Sequence, residues 1–264
     1  MVEKIEANGI NVTYKFDGPA DAPVVMLSNS LMSNHTMWDP QMAVLTESFR
    51  VLRYDTRGHG DTDAPQGPYS IKLLAEDVIA LLDTLGIQKV HFAGLSMGGM
   101  IAQYLGAHFP DRIHSLLLCD TASEMPTLAM WNDRISAAQE GGISALLDGT
   151  LQRWFTAPFL ENDKEAVEKI AQMIRTTDTG GYIGCASAVR DMSQTSILAK
   201  ITAPTIIIVG EDDPACTVAQ SKVLQEHIKG SKLVVLKSAA HLSNIEQTAK
   251  FNDAMMDFLK PAAP

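Results

Sequence analysis

Short, continuous apolar runs recur along this chain, each ended by a polar turn and most followed by a stretch of helical periodicity. Val24–Leu27, Phe49–Tyr54, Val90–Ala93, Ile113–Cys119, Thr205–Val209 and Leu233–Leu236 are such runs, as expected of strands covered on both faces. Ile10, Val12, Tyr14 and Phe16 instead alternate with polar residues, which predicts a half-exposed antiparallel strand. Between them, Trp38–Ser48 predicts a short helix. Ile71, Leu74, Val78, Leu81, Leu82 and Leu85 predict an amphipathic one, capped by Ser70 and stopped by Gly86. A helix from Met97 to about His108 is closed by Pro110. Thr217 and Gln220 form a capping box for a helix that Gly230 stops. Ser243-Asn244-Ile245-Glu246 is a second capping box, expected to open a closing helix that runs to about Leu259. Strands that alternate with helices imply crossover units and an α/β fold, with a mostly parallel central sheet flanked by helices. From Thr121 to Leu198 no strand-like run occurs. This segment is helical in pattern, rich in Met and aromatic residues and interrupted at Gly141-Gly142 and Gly180-Gly181. It reads as a helical cap, residues 121–198, inserted between a core of residues 1–120 and its continuation, 199–264.

Composition narrows the chemistry. A chain of 264 residues that is 46% hydrophobic and 20% charged can bury a large core. Its net charge of −10 argues against nucleic acid as a partner, because phosphate binding needs a basic surface. It also means that an anionic ligand would need a local donor or cation. Cys119, Cys185 and Cys216 are scattered and odd in number. They suggest no disulfide framework and fit a reducing compartment. Met1–Glu6 does not resemble a signal peptide, and no apolar run is long enough to span a membrane. The expectation is a cytoplasmic protein without a membrane partner.

The strongest chemical signal is Gly94-Leu95-Ser96-Met97-Gly98, placed between the strand Val90–Ala93 and the helix that follows. This G-x-S-x-G spacing projects a serine from a tight, strained strand-to-helix turn. The residues two places away on either side must be tiny, because strand and helix pass too close for side chains. A serine hydroxyl needs an adjacent base, and the base an orienting acid. Downstream, Asp213 lies just past the strand Thr205–Val209, and His241 lies between the last strand and the final helix. All three follow the C-terminal ends of strands, where open parallel sheets build their sites. Asp213 is the favoured acid, with Asp212 and Asp120 as the alternatives. Oxyanion donors are expected from the backbone N–H of Met97, after the serine, and of Leu31, in the loop after Val24–Leu27. His35 could edge the site, whereas His59 reads as a turn residue and Asp55 and Arg57 as loop bracing. No metal-binding spacing, phosphate loop or dinucleotide fingerprint is present, so no metal and no cofactor is expected.

Leu27-Ser28-Asn29-Ser30-Leu31, Met37-Trp38-Asp39-Pro40-Gln41, Arg50–Gly60, Gly94–Met100, Arg190-Asp191-Met192 and Ala240–Gln247 together resemble the α/β-hydrolase superfamily and, within it, the 3-oxoadipate enol-lactonase family. Asn29-Ser30, where many members of the fold carry His-Gly, and His241–Gln247 are the narrowing features. The resemblance implies an α/β-hydrolase fold and a triad of Ser96, Asp213 and His241. It also implies a small anionic enol-lactone as substrate. The substrate carboxylate would then need a partner in the cap. Arg134, Arg153 and Arg190 are candidates, with the Trp131 and Trp154 indole N–H groups as weaker donors, although each arginine taken singly also fits a surface salt bridge. Other readings on the same site are a carboxylesterase, a perhydrolase-like enzyme or a carbon–carbon bond hydrolase. A non-catalytic ligand-binding protein is the reading from another class, disfavoured because every triad member is present.

Overall fold

The computed structural model describes residues 1–125 and 128–259. Eight strands form one sheet: β1 (Val2–Ala7), β2 (Ile10–Asp17), β3 (Val24–Ser28), β4 (Arg50–Tyr54), β5 (Val90–Leu95), β6 (Ile113–Cys119), β7 (Thr205–Gly210) and β8 (Lys232–Leu236). Their order across the sheet is β1-β2-β4-β3-β5-β6-β7-β8. β1 pairs with β2, and β2 with β4, in antiparallel register; the other pairs are parallel. The apolar runs occupy the middle. Val25, Met26 and Leu27 of β3 and Ile207, Ile208 and Val209 of β7 are fully buried, which is why those strands lack alternation.

β1 has no counterpart among the strands expected from periodicity. Its residues are mostly exposed, so burial imposed little pattern on them. The local signal was the dipeptide Asn8-Gly9, whose φ angles of 50° and 73° form the two-residue turn that suits a β-hairpin.

The flanking helices begin with α1 (Asp39–Leu45), α2 (Ile71–Thr84) and α3 (Met97–His108). Ser70 caps α2 by accepting from the Leu73 N–H at 3.1 Å, and the helix buries Ile71, Leu74, Val78, Leu81 and Leu82. Arg57 holds the Asp77 carboxylate of α2 with two bonds, at 2.6 and 2.7 Å, while Asp55 accepts from the backbone N–H of His35 and of Asp61. Both residues brace loops.

Between β6 and β7 stand α4 (Leu128–Gly141), α5 (Leu147–Trp154), α6 (Ala157–Asn162), α7 (Lys164–Thr176) and α8 (Thr179–Asp191). Gly180-Gly181 interrupts no helix; it lies in the first turn of α8. The two ends of this insertion meet, Glu124 bridging Ser193 and the Gln194 N–H donating to the Ser123 carbonyl at 2.9 Å. The chain then closes with α9 (Val218–His227), α10 (Ser243–Glu246) and α11 (Thr248–Leu259). The capping box of α9 forms with both of its bonds.

The expected box at Ser243–Glu246 does not form. The closing helix breaks at Gln247, leaving α10 and α11 separate. Ser243 donates instead to the buried Asp120 carboxylate at 2.6 Å. Glu246 accepts from the Ala240 N–H, at 2.8 Å, and from the Thr156 N–H and hydroxyl. Long-range partners displaced the local cap, and they tie the loop before α10 to the helical insertion.

Candidate active site

Ser96 stands between β5 and α3 with φ 55° and ψ −114°, a conformation that costs a non-glycine residue of order 1–3 kcal/mol and persists only where surroundings enforce it. Those surroundings are visible. The Ser96 N–H donates to the Cys119 carbonyl at 2.9 Å, and the Ser96 carbonyl accepts from the Thr121 hydroxyl at 2.8 Å. The two glycines of the elbow are required sterically. A Cβ on Gly94 would lie 2.1 Å from the Gly98 carbonyl oxygen, and one on Gly98 would lie 2.2 Å from that of Ser28.

Opposite Ser96, the β8–α10 loop presents His241, almost fully buried. Its Nδ1 donates to the Asp213 carboxylate at 2.8 Å, which leaves Nε2 with a lone pair. The other Asp213 oxygen accepts from the Ala215 and Cys216 N–H groups at 2.7 and 3.0 Å. Of the three aspartates considered from the sequence, Asp213 is the one that meets His241. Asp212 is exposed. Asp120 is fully buried and bonded to the Gly210 N–H and the Ser243 hydroxyl. Burial and the neighbouring Asp213 charge push its carboxyl well above the usual carboxylate range.

Ser96 and His241 line a small cavity of about 130 Å³. One wall comes from the C-terminal ends of strands, through Ser30 and Leu31. The other comes from the helical insertion, through Trp131, Arg134, Arg153 and Trp154. Among the described residues, neither the Leu31 nor the Met97 backbone N–H has a protein acceptor. Three side-chain groups of the wall are also buried without a partner: the Trp131 indole N–H, the Arg134 Nε–H and the Ser30 hydroxyl. Arg134 stacks over Trp131, 4.8 Å from its ring centroid, and among the described residues Arg153 makes one hydrogen bond, a long one to Thr150 at 3.4 Å. Burial, then the positive charge of Arg134, pull the Arg153 guanidinium below its ordinary value. Two cations thus share one wall of the cavity, and among the described residues neither meets a carboxylate.

Residues 23–248 match the alpha/beta hydrolase fold family. The chain belongs to that family. The 3-oxoadipate enol-lactonase 2 of Acinetobacter baylyi is 38% identical to it over 258 residues, 98% of this chain and 96% of the relative. The crystal structure of the enol-lactonase from Burkholderia xenovorans LB400 superposes with a TM-score of 0.96 at 40% identity, covering 97% of this chain and 99% of that one. A putative carbamate hydrolase, RutD of Pseudomonas savastanoi pv. phaseolicola, is 29% identical over 245 residues, 91% and 95% of the two chains. The chain is accordingly a carboxylic ester hydrolase of the α/β-hydrolase fold.

In this hydrolase Trp131, Arg134 and Trp154 line the cavity, but Arg190 does not. The Arg190 guanidinium lies along the Asp191 carboxylate, at 2.7 and 2.8 Å, and on the Asn132 side chain at 3.0 Å. One turn at the end of α8 decides this: position 190 falls outside the wall that Val189 lines. Of the three candidate arginines, Arg134 and Arg153 line the cavity.

His35 pairs with Asp55 and does not line the cavity. His59 is more than a turn residue: its Nε2 accepts from the Met32 N–H at 2.9 Å, beneath the loop that carries Leu31. Pro214, Ala215 and Cys216, which also line the cavity, gave no sequence signal beyond their nearness to Asp213. Asp213, Cys216 and His241 bring metal-ligating atoms within 4.8 Å of one another. Two of the three are bonded to each other, and burial, then the Asp213 charge, push the Cys216 thiol well above its ordinary value. That set suits an ion poorly. Among the described residues no helix is long and apolar enough to cross a membrane.

Proposed function

We propose that this hydrolase opens the ring of 3-oxoadipate enol-lactone to give 3-oxoadipate, through an acyl-enzyme on Ser96. One observation carries the reading: a small cavity is lined by Ser96, His241 and Leu31, whose N–H has no acceptor among the described residues, together with two arginines that meet no carboxylate among those residues. A compact ligand with a reactive carbonyl and a distant carboxylate complements both. The names of the relatives point the same way.

In this reading residues 121–198 act as the cap, and substrate enters beneath it with its carboxymethyl arm against Arg134 and Arg153 and the indoles of Trp131 and Trp154 along it. Ser96 attacks the ring carbonyl while His241 takes its proton, held in the right tautomer by Asp213. The Leu31 and Met97 N–H groups stabilise the oxyanion. Expulsion of the ring oxygen produces an enol that tautomerises to a ketone, which drives the step forward. His241 then activates water to release the second carboxylate. The negative charge of the chain as a whole makes the local arginines necessary for an anionic substrate.

The test is turnover of 3-oxoadipate enol-lactone by purified protein, followed by ultraviolet loss of the unsaturated lactone. The expected kcat/KM exceeds about 10⁴ M⁻¹ s⁻¹ and stands well above that for a neutral nitrophenyl ester. Equal values for the two would keep the hydrolytic site and remove the lactone assignment. Fluorophosphonate labelling, abolished in Ser96→Ala, checks the nucleophile separately.

A further inference from the structure

An oxyanion hole made from backbone N–H groups works only if each peptide plane is turned the right way. A trans peptide is planar, so its C=O and N–H point in opposite directions. Whatever holds the Ser30 carbonyl therefore sets the direction of the Leu31 N–H. That carbonyl is held by Ser33, through its hydroxyl at 2.7 Å and its N–H at 3.3 Å. The Ser33 hydroxyl also lies 3.0 Å from the Met37 sulfur, but its single proton goes to the carbonyl, the stronger acceptor. Without it the peptide could turn over. The Leu31 N–H would then leave the cavity and the Ser30 oxygen would enter it, presenting negative charge where the oxyanion forms.

The other side of Leu31 is held as well. Met32 has φ 65°, a strained value for a residue with a side chain, and its N–H donates to His59 Nε2 at 2.9 Å. His59 is buried, and burial pulls its imidazolium below the ordinary value. Its Nδ1–H points to the Arg57 carbonyl at 3.3 Å, which leaves Nε2 as the acceptor that Met32 requires. Upstream, the loop is fixed to the elbow itself: the Asn29 carbonyl accepts from the Gly98 N–H at 3.1 Å, and the Asn29 side chain bonds the Tyr54 carbonyl and the Trp38 indole. Ser33 and His59 are both buried and take no part in the chemistry described above.

We propose that Ser33 and His59 are positioning residues that hold the Leu31 peptide from its two sides with its N–H facing the cavity, so that the oxyanion hole is formed before substrate arrives. This rests on the reading of Ser96 and Leu31 given under the proposed function.

The experiment compares Ser33→Ala, His59→Asn and His59→Gln with the wild type. It reads kcat and KM for the lactone, affinity for an alkylboronic acid that forms a tetrahedral adduct with Ser96, affinity for the product 3-oxoadipate, and the thermal unfolding midpoint. Loss of a whole oxyanion donor costs about 10²–10³ in kcat, and loss of one restraint on it should cost about 10–100-fold. Ser33→Ala and His59→Asn are expected to lower kcat by that factor with KM within about twofold. Boronate affinity should fall in parallel while product affinity holds, because only the tetrahedral species uses the hole fully. His59→Gln places an oxygen near the position of Nε2 and should recover most of what His59→Asn loses. The proposal is overturned if both variants keep kcat within about twofold, if boronate and product affinities fall together, or if His59→Gln is as slow as His59→Asn. Should Ser33→Ala fail to fold, the His59 pair decides. Wild-type protein that hydrolyses neither the lactone nor a nitrophenyl ester would refute the underlying site; wild-type turnover with unaffected variants would refute the positioning alone.

Discussion

Replacing Arg134 by methionine keeps an unbranched apolar stem and removes the charge from the cavity wall. At about 4 Å, in an effective dielectric near 20, a guanidinium and a carboxylate attract by about 4 kcal/mol. Desolvation consumes part of this, and hydrogen bonds to charged groups are worth a net ~1.5–3 kcal/mol. Arg153 remains on the same wall and can take over part of the contact. The loss should therefore lie at the lower end, roughly 10–30-fold in kcat/KM for the enol-lactone. The double variant with Arg153→Met should lose more than either single one, and non-additively, since both cations face one anion. A neutral nitrophenyl ester reports on the triad without the carboxylate, and its kcat/KM should stay within about twofold of wild type. Stability gives an independent sign. Arg134 already disfavours the charged form of Arg153, which is also half-buried, so Arg134→Met should leave the unfolding midpoint unchanged or raise it. Equal losses for the lactone and the neutral ester, or no loss for either, would refute the carboxylate role.

Three further outcomes follow from the geometry. Asp213→Asn should lower kcat by on the order of 10³–10⁴-fold at little cost in stability, because the amide can hold His241 in the wrong tautomer; an activity above a tenth of wild type would remove Asp213 from the triad. Gly94→Ala places a Cβ 2.1 Å from a backbone oxygen and should cost about 3 kcal/mol or more in a urea titration, together with loss of turnover; unaltered stability would mean that the elbow relaxes freely. His91, pulled down to about 4 by burial and by the neighbouring His114, binds its proton more weakly folded than unfolded. Its contribution to stability is complete above about pH 6.5 and is lost as pH falls from there through 4. Unfolding midpoints of His91→Asn should thus gain on the wild type across that window, and parallel curves would show that His91 contributes nothing.

Much of the core was legible in the chain because burial writes itself locally. A strand covered on both faces must be apolar throughout, as Val25–Leu27 and Ile206–Val209 are, and a helix against a sheet must carry a stripe such as that of α2. The elbow was legible for a different reason: the backbone approach at Gly94 and Gly98 leaves room for no other residue. Where local rules competed with distant partners, the reading failed. Ser243 and Glu246 have the spacing of a helix cap, yet they bond Asp120 and Thr156, more than 85 positions away in the chain. β1 leaves no mark in the hydrophobic pattern, because an exposed edge strand needs none.

By itself, then, the sequence determined the alternation of strands and helices, the strained turn at Ser96 and the order in which Ser96, Asp213 and His241 follow strand ends, since each of these is enforced within a few residues of chain. Only the tertiary structure decided that Asp213 and not Asp120 faces His241, that Arg134 and Arg153 share the cavity while Arg190 turns to Asp191, and that Ser33 and His59 grip the loop of Leu31. Those choices depend on the angle at which an inserted helix meets the sheet and on which loop lies beneath another, and no spacing along the chain encodes a direction in space.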